Sequence, residues 1–382
     1  MKREVLLLLF VGSIMSLGMN LVNALRTLYI QSLGATVLQV SAVIALTGVA
    51  GTVLRIPSGL LSDRYGRRRV ISLSVVLACV PPVLYTLSTH WLDIIPWGIL
   101  YAVAFALYMP SRMAIVADYT PTEQLIRVYS ILNLAWPIGS IIGPTLSGVL
   151  ESQYGWNAVF YVATILHSLA IVPAFTLPYP SASTTEQHRQ SPRLDRAFLI
   201  PLIPFFFFNV CIGLGIGSVE AITPIYLIES FQISTANVGL FLSVGFGVTT
   251  LLTQIPAGIL AEKVGKKRFL TFCVALLPAL FIIWTFIDNL LLLLLLQMMI
   301  NGFWSMTWPA FLSLLMDHSS PSRRGITTSL TQMGMMLGFT LGPYIGGYLW
   351  ETMGMMFPYY ASAIFCTLCV ASTRFISSGT NR

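Results

Sequence analysis

The chain has 382 residues, of which 56% are apolar and only 9% charged, against roughly 25% charged in an average soluble domain. With a mean hydropathy of +0.80, it has too few ionised groups to coat a water-soluble globule, which excludes a soluble enzyme, a disordered regulator and a secreted disulfide scaffold. An all-α integral membrane protein remains. The net charge of +7 invites a nucleic-acid partner. None is expected, because the basic residues sit in short clusters between apolar runs rather than on one face.

In chain order, Lys2-Arg3-Glu4 and Leu6 to Leu9 mimic a signal peptide. The apolar run continues to about Ile30 without a small-x-small cleavage site, so it reads as an uncleaved first span. Further apolar runs lie at about 38–61, 70–88, 94–117, 127–150, 156–177, 198–228, 236–260, 270–286, 290–316, 327–350 and 356–373. Each is long enough to cross a bilayer with some tilt. None alternates like a strand, and backbone groups in lipid must pair internally, so the expectation is twelve transmembrane helices.

Charge orients them. The even-numbered connections and the termini hold every basic residue except Arg26, Arg55 and Arg112. The odd-numbered connections hold only acids: Asp93, Glu151, Glu229, Asp288 and Glu351. The positive-inside rule then places both termini in the cytoplasm of a multi-pass plasma-membrane protein. Residues 179–197 form the one long internal connection, rich in Ser, Thr, Pro and charge. They read as a cytoplasmic linker between an N-terminal six-helix bundle, 1–178, and a C-terminal one, 198–382. The five cysteines lie within apolar runs, where Cys366-x-x-Cys369 reads as packing rather than redox or metal chemistry. No cofactor is expected.

The halves repeat. Gly59-Leu-Leu-Ser-Asp63-Arg-Tyr-Gly66-Arg67-Arg68-Arg69 recurs as Gly258-Ile-Leu-Ala-Glu262-Lys-Val-Gly265-Lys266-Lys267-Arg268. Asp118 recurs as Asp317, and Gly143-Pro144 as Gly342-Pro343, all 199 residues further on. A parallel repeat of two pseudo-symmetric six-helix bundles places a binding site between them near the midplane and permits rocking.

These residues resemble the major facilitator superfamily over essentially the whole chain. Gly59 to Arg69 is similar to its signature G-x-L-a-D-r-x-G-r-r loop. Gly139-Ser-Ile-Ile-Gly143-Pro144-Thr-Leu-Ser147-Gly148 resembles the antiporter motif of its drug:proton exporters, although span 11 has its own version at Gly338 to Gly347. Span 1 carries no acidic residue, where some proton-coupled drug exporters have one. The resemblance implies the major facilitator fold and a cytoplasmic gate. In that gate Asp63 faces the start of span 11 near Arg324-Gly325, where the helix dipole favours an anion. Arg67 pairs with Asp118, and Glu123 and Arg127 extend the network. Glu262, Lys266, Asp317 and Arg323 mirror it. The alternative is that these are membrane-edge charges obeying topology.

Gly139, Gly143 and Ser147 in span 5, and Gly334, Gly338, Gly342 and Gly346 in span 11, form small-residue stripes that let helices approach. Pro144 and Pro343 allow bends. Charge within a span is expensive and faces a cavity or a partner. Arg55 and Arg112 have stems long enough to reach the cytoplasmic face, which leaves them open between structure and gate. Glu220 lies nine residues before Glu229, about 13 Å at helical rise, and reaches neither face. It is the candidate proton carrier, with Arg26 as its candidate cation; a fixed Glu220–Arg26 tie is the alternative. Asn20 and Asn23 in span 1, Asn133 and Trp136 in span 5, Gln254 in span 8, Asn301 in span 10 and Gln332 in span 11 are candidate cavity residues. Failing Glu220, coupling falls to Asp63 or to His167 in span 6.

The leading reading is a secondary active transporter, a monomer in the bilayer, moving a small molecule by alternating access with proton-coupled efflux. The alternatives are a proton-coupled uptake symporter and a membrane-embedded enzyme. The enzyme is disfavoured because the chain has no H-E-x-x-H, G-x-S-x-G or G-x-x-x-x-G-K-[ST]. Gly213-Leu-Gly215-Ile-Gly217 lies inside a span and is no nucleotide loop.

Overall fold

A computed structural model describes residues 3–120, 122–133, 135–177, 196–319 and 323–376. Among them there are helices and turns and no strand. In chain order the helices are α1 (Arg3–Asn23), α2 (Arg26–Ser32), α3 (Val37–Tyr65), α4 (Arg67–Thr86), α5 (Ile94–Tyr119), α6 (Thr122–Asn133), α7 (Ala135–Tyr154), α8 (Trp156–Leu169) and α9 (Ile171–Thr176). Then come α10 (Arg196–Leu199), α11 (Ile203–Glu220), α12 (Thr223–Phe231), α13 (Thr235–Leu242), α14 (Thr249–Val264), α15 (Lys266–Trp284), α16 (Leu290–Asp317), α17 (Arg324–Met353) and α18 (Phe357–Thr373).

Helix covers each of the twelve apolar runs. Nine segments among the described residues are long and apolar enough to cross a membrane. The runs outside that set are α7, α17 and α18. The first two trade apolar side chains for the glycine stripes, and α18 has 17 residues.

The repeat is visible in the turns. α3 ends at Gly66 with φ +92°, and α14 ends at Gly265 with φ +98°. A side chain strains this left-handed region. A Cβ at either glycine would meet nothing within 4 Å, so the requirement is conformational rather than steric. The next residues, Arg67 and Lys266, open α4 and α15.

The chain divides into two compact units. One is Met1–Thr185 with Pro224–Ser243; the other is Glu186–Thr223 with Val244–Arg382. In the first, α1 packs on α7 and α8, α5 on α3 and α4, and α13 on α7. The span 5 glycines explain these contacts. A Cβ on Gly143 would lie 2.8 Å from the Asn20 carbonyl carbon, and one on Gly139 2.9 Å from that of Ser16. Gly148 abuts the Thr235 backbone, and Gly239 of α13 abuts the Pro144 carbonyl. Thr145 donates to Ser243 Oγ from its amide (3.1 Å) and its hydroxyl (2.7 Å). One stripe thus seats α1 on one side and α13 on the other.

In the second unit α11 lies against α17 and α18. Gly213 and Gly217 face α17: a Cβ on Gly213 would sit 2.6 Å from the Met335 carbonyl oxygen, and one on Gly342 2.8 Å from the Gly217 carbonyl carbon. Gly215 faces α18 instead, beside Cys366 and accepting from Ser362 Oγ at 2.7 Å. The G-x-G-x-G run therefore serves two neighbouring helices. Cys366 and Cys369 are buried and form no disulfide, with Cys369 Sγ against the Phe208 carbonyl.

Candidate functional site

Two long spans are interrupted, each beside a charged residue. The α11 helix stops at Glu220, and α12 resumes at Thr223. Pro224 explains the stop: it has no N–H to give the carbonyl four residues back, and its ring crowds that carbonyl. That carbonyl belongs to Glu220. The first span breaks at Ala24-Leu25, and Arg26 opens α2. Here there is no proline or glycine to cause it. Both charges oppose the local helix dipole, an acid at a C-terminus and a base at an N-terminus, so neither stabilises its helix end.

Glu220 is exposed in a run where Ser218, Val219, Ala221 and Ile222 are buried. It forms no hydrogen bond or ion pair among the described residues. A carboxylate that keeps an open side within a packed span is free to take up a proton or a cation. Arg26 belongs to the other unit. It is half-buried, and its Nε is buried without a partner.

The candidate cavity residues diverge. Asn20 bonds the Ser16 carbonyl at 2.9 Å and packs on Gly143, at the α1–α7 crossing. Asn23 is half-buried, with Oδ1 buried and unpartnered. Asn133, Trp136 and Gln254 are exposed, and Gln332 is half-buried; none forms a side-chain hydrogen bond among the described residues. Asn301 is buried and donates to the Gly245 carbonyl at 2.8 Å. Gly245 lies in a π-helical segment, Ser243–Val248, where Thr249 Oγ1 also satisfies the Val244 carbonyl. Asn301 thus holds irregular backbone in span 8, a local form that often marks functional sites.

At the repeated loop, Arg67 pairs with Asp118, donates to the Ala114 carbonyl at 2.9 Å and lies 3.8 Å from Asp63. Lys266 pairs with Asp317 at 2.6 Å. Glu262, the counterpart of Asp63, has no ion pair among the described residues. Arg323 stacks on the Phe198 ring at 4.9 Å. The Glu123, Arg127 and Arg324 side chains lie outside the described residues. Gly59 faces open space, so no close helix approach depends on it. Arg112 does not join the Asp118 pair. It is buried and donates to the Leu132 carbonyl at 2.7 Å. There it satisfies one of the carbonyls that the end of α6 leaves open. Arg55 is exposed.

Sequence reasoning named His167 but did not join it to the buried polar series in which it sits in the first unit. The Tyr101 hydroxyl meets His167 Nε2 at 2.8 Å. His167 is fully buried, and its Nδ1 would lie 2.6 Å from a Cβ on Gly18. Tyr85 and Tyr108 are also buried; the Tyr85 hydroxyl lies beside Arg26, and the Tyr108 hydroxyl has no hydrogen-bond partner among the described residues. The available signal was glycine on α1, Gly12 and Gly18, opposite polar heads on α5 and α8.

Similarity to known proteins agrees with this architecture. A quinolone resistance protein of Staphylococcus aureus, NorA, is 22% identical over 370 residues, covering 92% of this chain and 91% of its own. An uncharacterized MFS-type transporter of Methanocaldococcus jannaschii is 24% identical over 363 residues, covering 91% and 92%. The crystal structure of a bacterial homolog to the human lysosomal transporter Spinster, inward-facing and occupied, superposes with a TM-score of 0.81 at 14% identity, covering 98% of this chain and 96% of that one. The model of the Major Facilitator Superfamily matches residues 8–226 and 205–379. With that match across the repeat, the chain belongs to the Major Facilitator Superfamily and is a multi-pass membrane transporter of small molecules, not an enzyme.

Proposed function

We propose that this transporter is a proton-coupled exporter of small lipophilic molecules in the plasma membrane. It works as a monomer, by alternating access, with both termini in the cytoplasm. The observation that carries the reading is Glu220: an unpartnered carboxylate at the proline-driven end of α11, exposed in a run of buried residues. Burial away from water disfavours the charged carboxylate, and water or a cation favours it. A site that alternates between those surroundings loads and releases a proton.

Export is supported by the span 5 stripe, whose Gly139 and Gly143 seat α1 while Gly148 seats α13, and by the resistance named for the staphylococcal relative. Arg67–Asp118 and Lys266–Asp317 supply paired charges for a cytoplasmic gate. Orientation and location rest on the charge pattern of the loops. Bundles at 1–178 and 198–382, joined through 179–197, are the proposed moving parts.

The test is proton movement in proteoliposomes of one orientation. Substrate added on the side it is exported from should drive protons the opposite way. Protons moving with the substrate would replace export by uptake symport. Substrate flux without proton movement would remove coupling.

A further inference from the structure

We infer that the break in span 1 carries an anion-binding subsite, built on Arg26 and the Tyr85 hydroxyl, for a carboxylate on the transported molecule. The inference deepens the transport reading and rests on it. A guanidinium within a span needs a counter-charge or hydrogen-bond acceptors. Arg112 has the Leu132 carbonyl, and Arg55 is exposed. Arg26 has no ion pair among the described residues; its polar neighbour is the neutral Tyr85 hydroxyl, and its Nε is buried without a partner.

Acids of the first unit are engaged elsewhere: Glu229 accepts from Gln31 Nε2 at 2.9 Å, Glu151 from Thr235 Oγ1, and Asp93 from the Thr89 and His90 amides. α2, α4 and α8 contain no Asp or Glu, and α1 has only Glu4 at its start. Asp63 and Asp118 stand at the far ends of α3 and α5, paired with Arg67. The group shown beside Arg26 is instead a hydroxyl. Tyr85 is fully buried, and its hydroxyl lies beside Arg26 with no other hydrogen-bond partner among the described residues. Buried polar groups in native folds are normally satisfied, so a cation with a buried unpartnered Nε, beside a hydroxyl that still has a proton to donate, is an arrangement completed by an acceptor-only group. A carboxylate is such a group, and it takes charge-assisted bonds from a guanidinium.

Behind the hydroxyl the wall is aromatic. The Tyr85 ring lies 5.3 Å from Phe160 and 6.4 Å from Tyr29, and Tyr29 lies 5.4 Å from Trp156. The Tyr29 hydroxyl donates to the Tyr85 carbonyl and fixes the backbone there. A carboxylate joined to an apolar, ring-bearing body matches this combination.

Rhodamine 110, which has a free carboxyl, and rhodamine 123, its methyl ester, make a matched probe pair. Equilibrium dialysis against the purified full-length protein should show the acid bound at least tenfold more tightly than the ester. Arg26→Gln should remove that preference and leave ester binding unchanged. Arg26→Lys should keep part of it. Tyr85→Phe, which keeps the ring and the Arg26 charge, should weaken the acid severalfold and spare the ester; it also serves if Arg26→Gln fails to fold. Equal binding of the two dyes by the wild type, or parallel loss of both in the variants, overturns the subsite. The same dyes in proteoliposomes separate the two claims. Flux of the ester with no binding of the acid removes the subsite alone. Preferential binding of the acid with no flux of either dye removes the transport reading alone.

Discussion

Gly342→Ala tests whether the glycine stripe on α17 works by close approach. The added Cβ would lie 2.8 Å from the Gly217 carbonyl carbon, 2.9 Å from the Ser218 nitrogen and 3.0 Å from the Gly217 Cα. All three are backbone atoms of α11, so no side chain can swing away. The helices must separate, and Gly334 and Gly338 hold them equally close on the same face. Overpacking of this kind costs about 1–3 kcal/mol, and alanine returns at most about 1 kcal/mol of helix propensity. Melting of the purified protein should fall by roughly 2–10 °C. Transport should fall with it, because α11 ends at Glu220. Gly59→Ala is the matched control: its Cβ meets nothing within 4 Å, so the propensity gain stands and stability should hold or rise. A Gly342→Ala protein as stable as wild type, or a Gly59→Ala protein equally damaged, would refute the packing argument.

Other perturbations read other parts. Gly66→Ala forces a side chain to φ +92°, which costs about 1–2 kcal/mol, so it should destabilise where Gly59→Ala does not; equal melting temperatures would contradict this. Asp63 is largely exposed beside Arg67, and exposed pairs contribute little stability. Asp63→Asn should therefore melt like wild type yet lose most flux in a proteoliposome assay, and flux near wild type would reduce the loop to topological charges. Asn301→Ala strips the Gly245 carbonyl of its donor at about 1–3 kcal/mol, and denaturation in the presence and absence of substrate should report the loss. A cysteine replacing Lys263 in the repeated loop should stay unlabelled by an impermeant thiol reagent outside intact cells; labelling would reverse the orientation.

The helices, the repeat and the stripes were readable because their signals are periodic. Apolar length marks a span, and glycine every fourth residue marks a helix contact, as Gly139 and Gly143 do against Ser16 and Asn20. The end of α11 was also readable, since Pro224 dictates it, but the run Ile203 to Phe231 is apolar enough to hide the break. The break at Ala24-Leu25 has no local signal. Polar roles were the least legible. A buried Asn or Arg looks alike in sequence whether it lines a cavity or holds a backbone carbonyl. Asn301 and Arg112 hold carbonyls from remote segments, Gly245 and Leu132, and that is decided by tertiary packing. His167 likewise gained its partner Tyr101 from a distant helix.

Coupling through Glu220 is tested most directly by Glu220→Gln in proteoliposomes, with uphill flux under a pH gradient and substrate exchange without one measured on the same preparation. Glutamine keeps the shape and removes the proton site. The account predicts that gradient-driven accumulation disappears while exchange survives. A stable Glu220→Gln protein that still drives uphill transport with the wild-type pH dependence would contradict it.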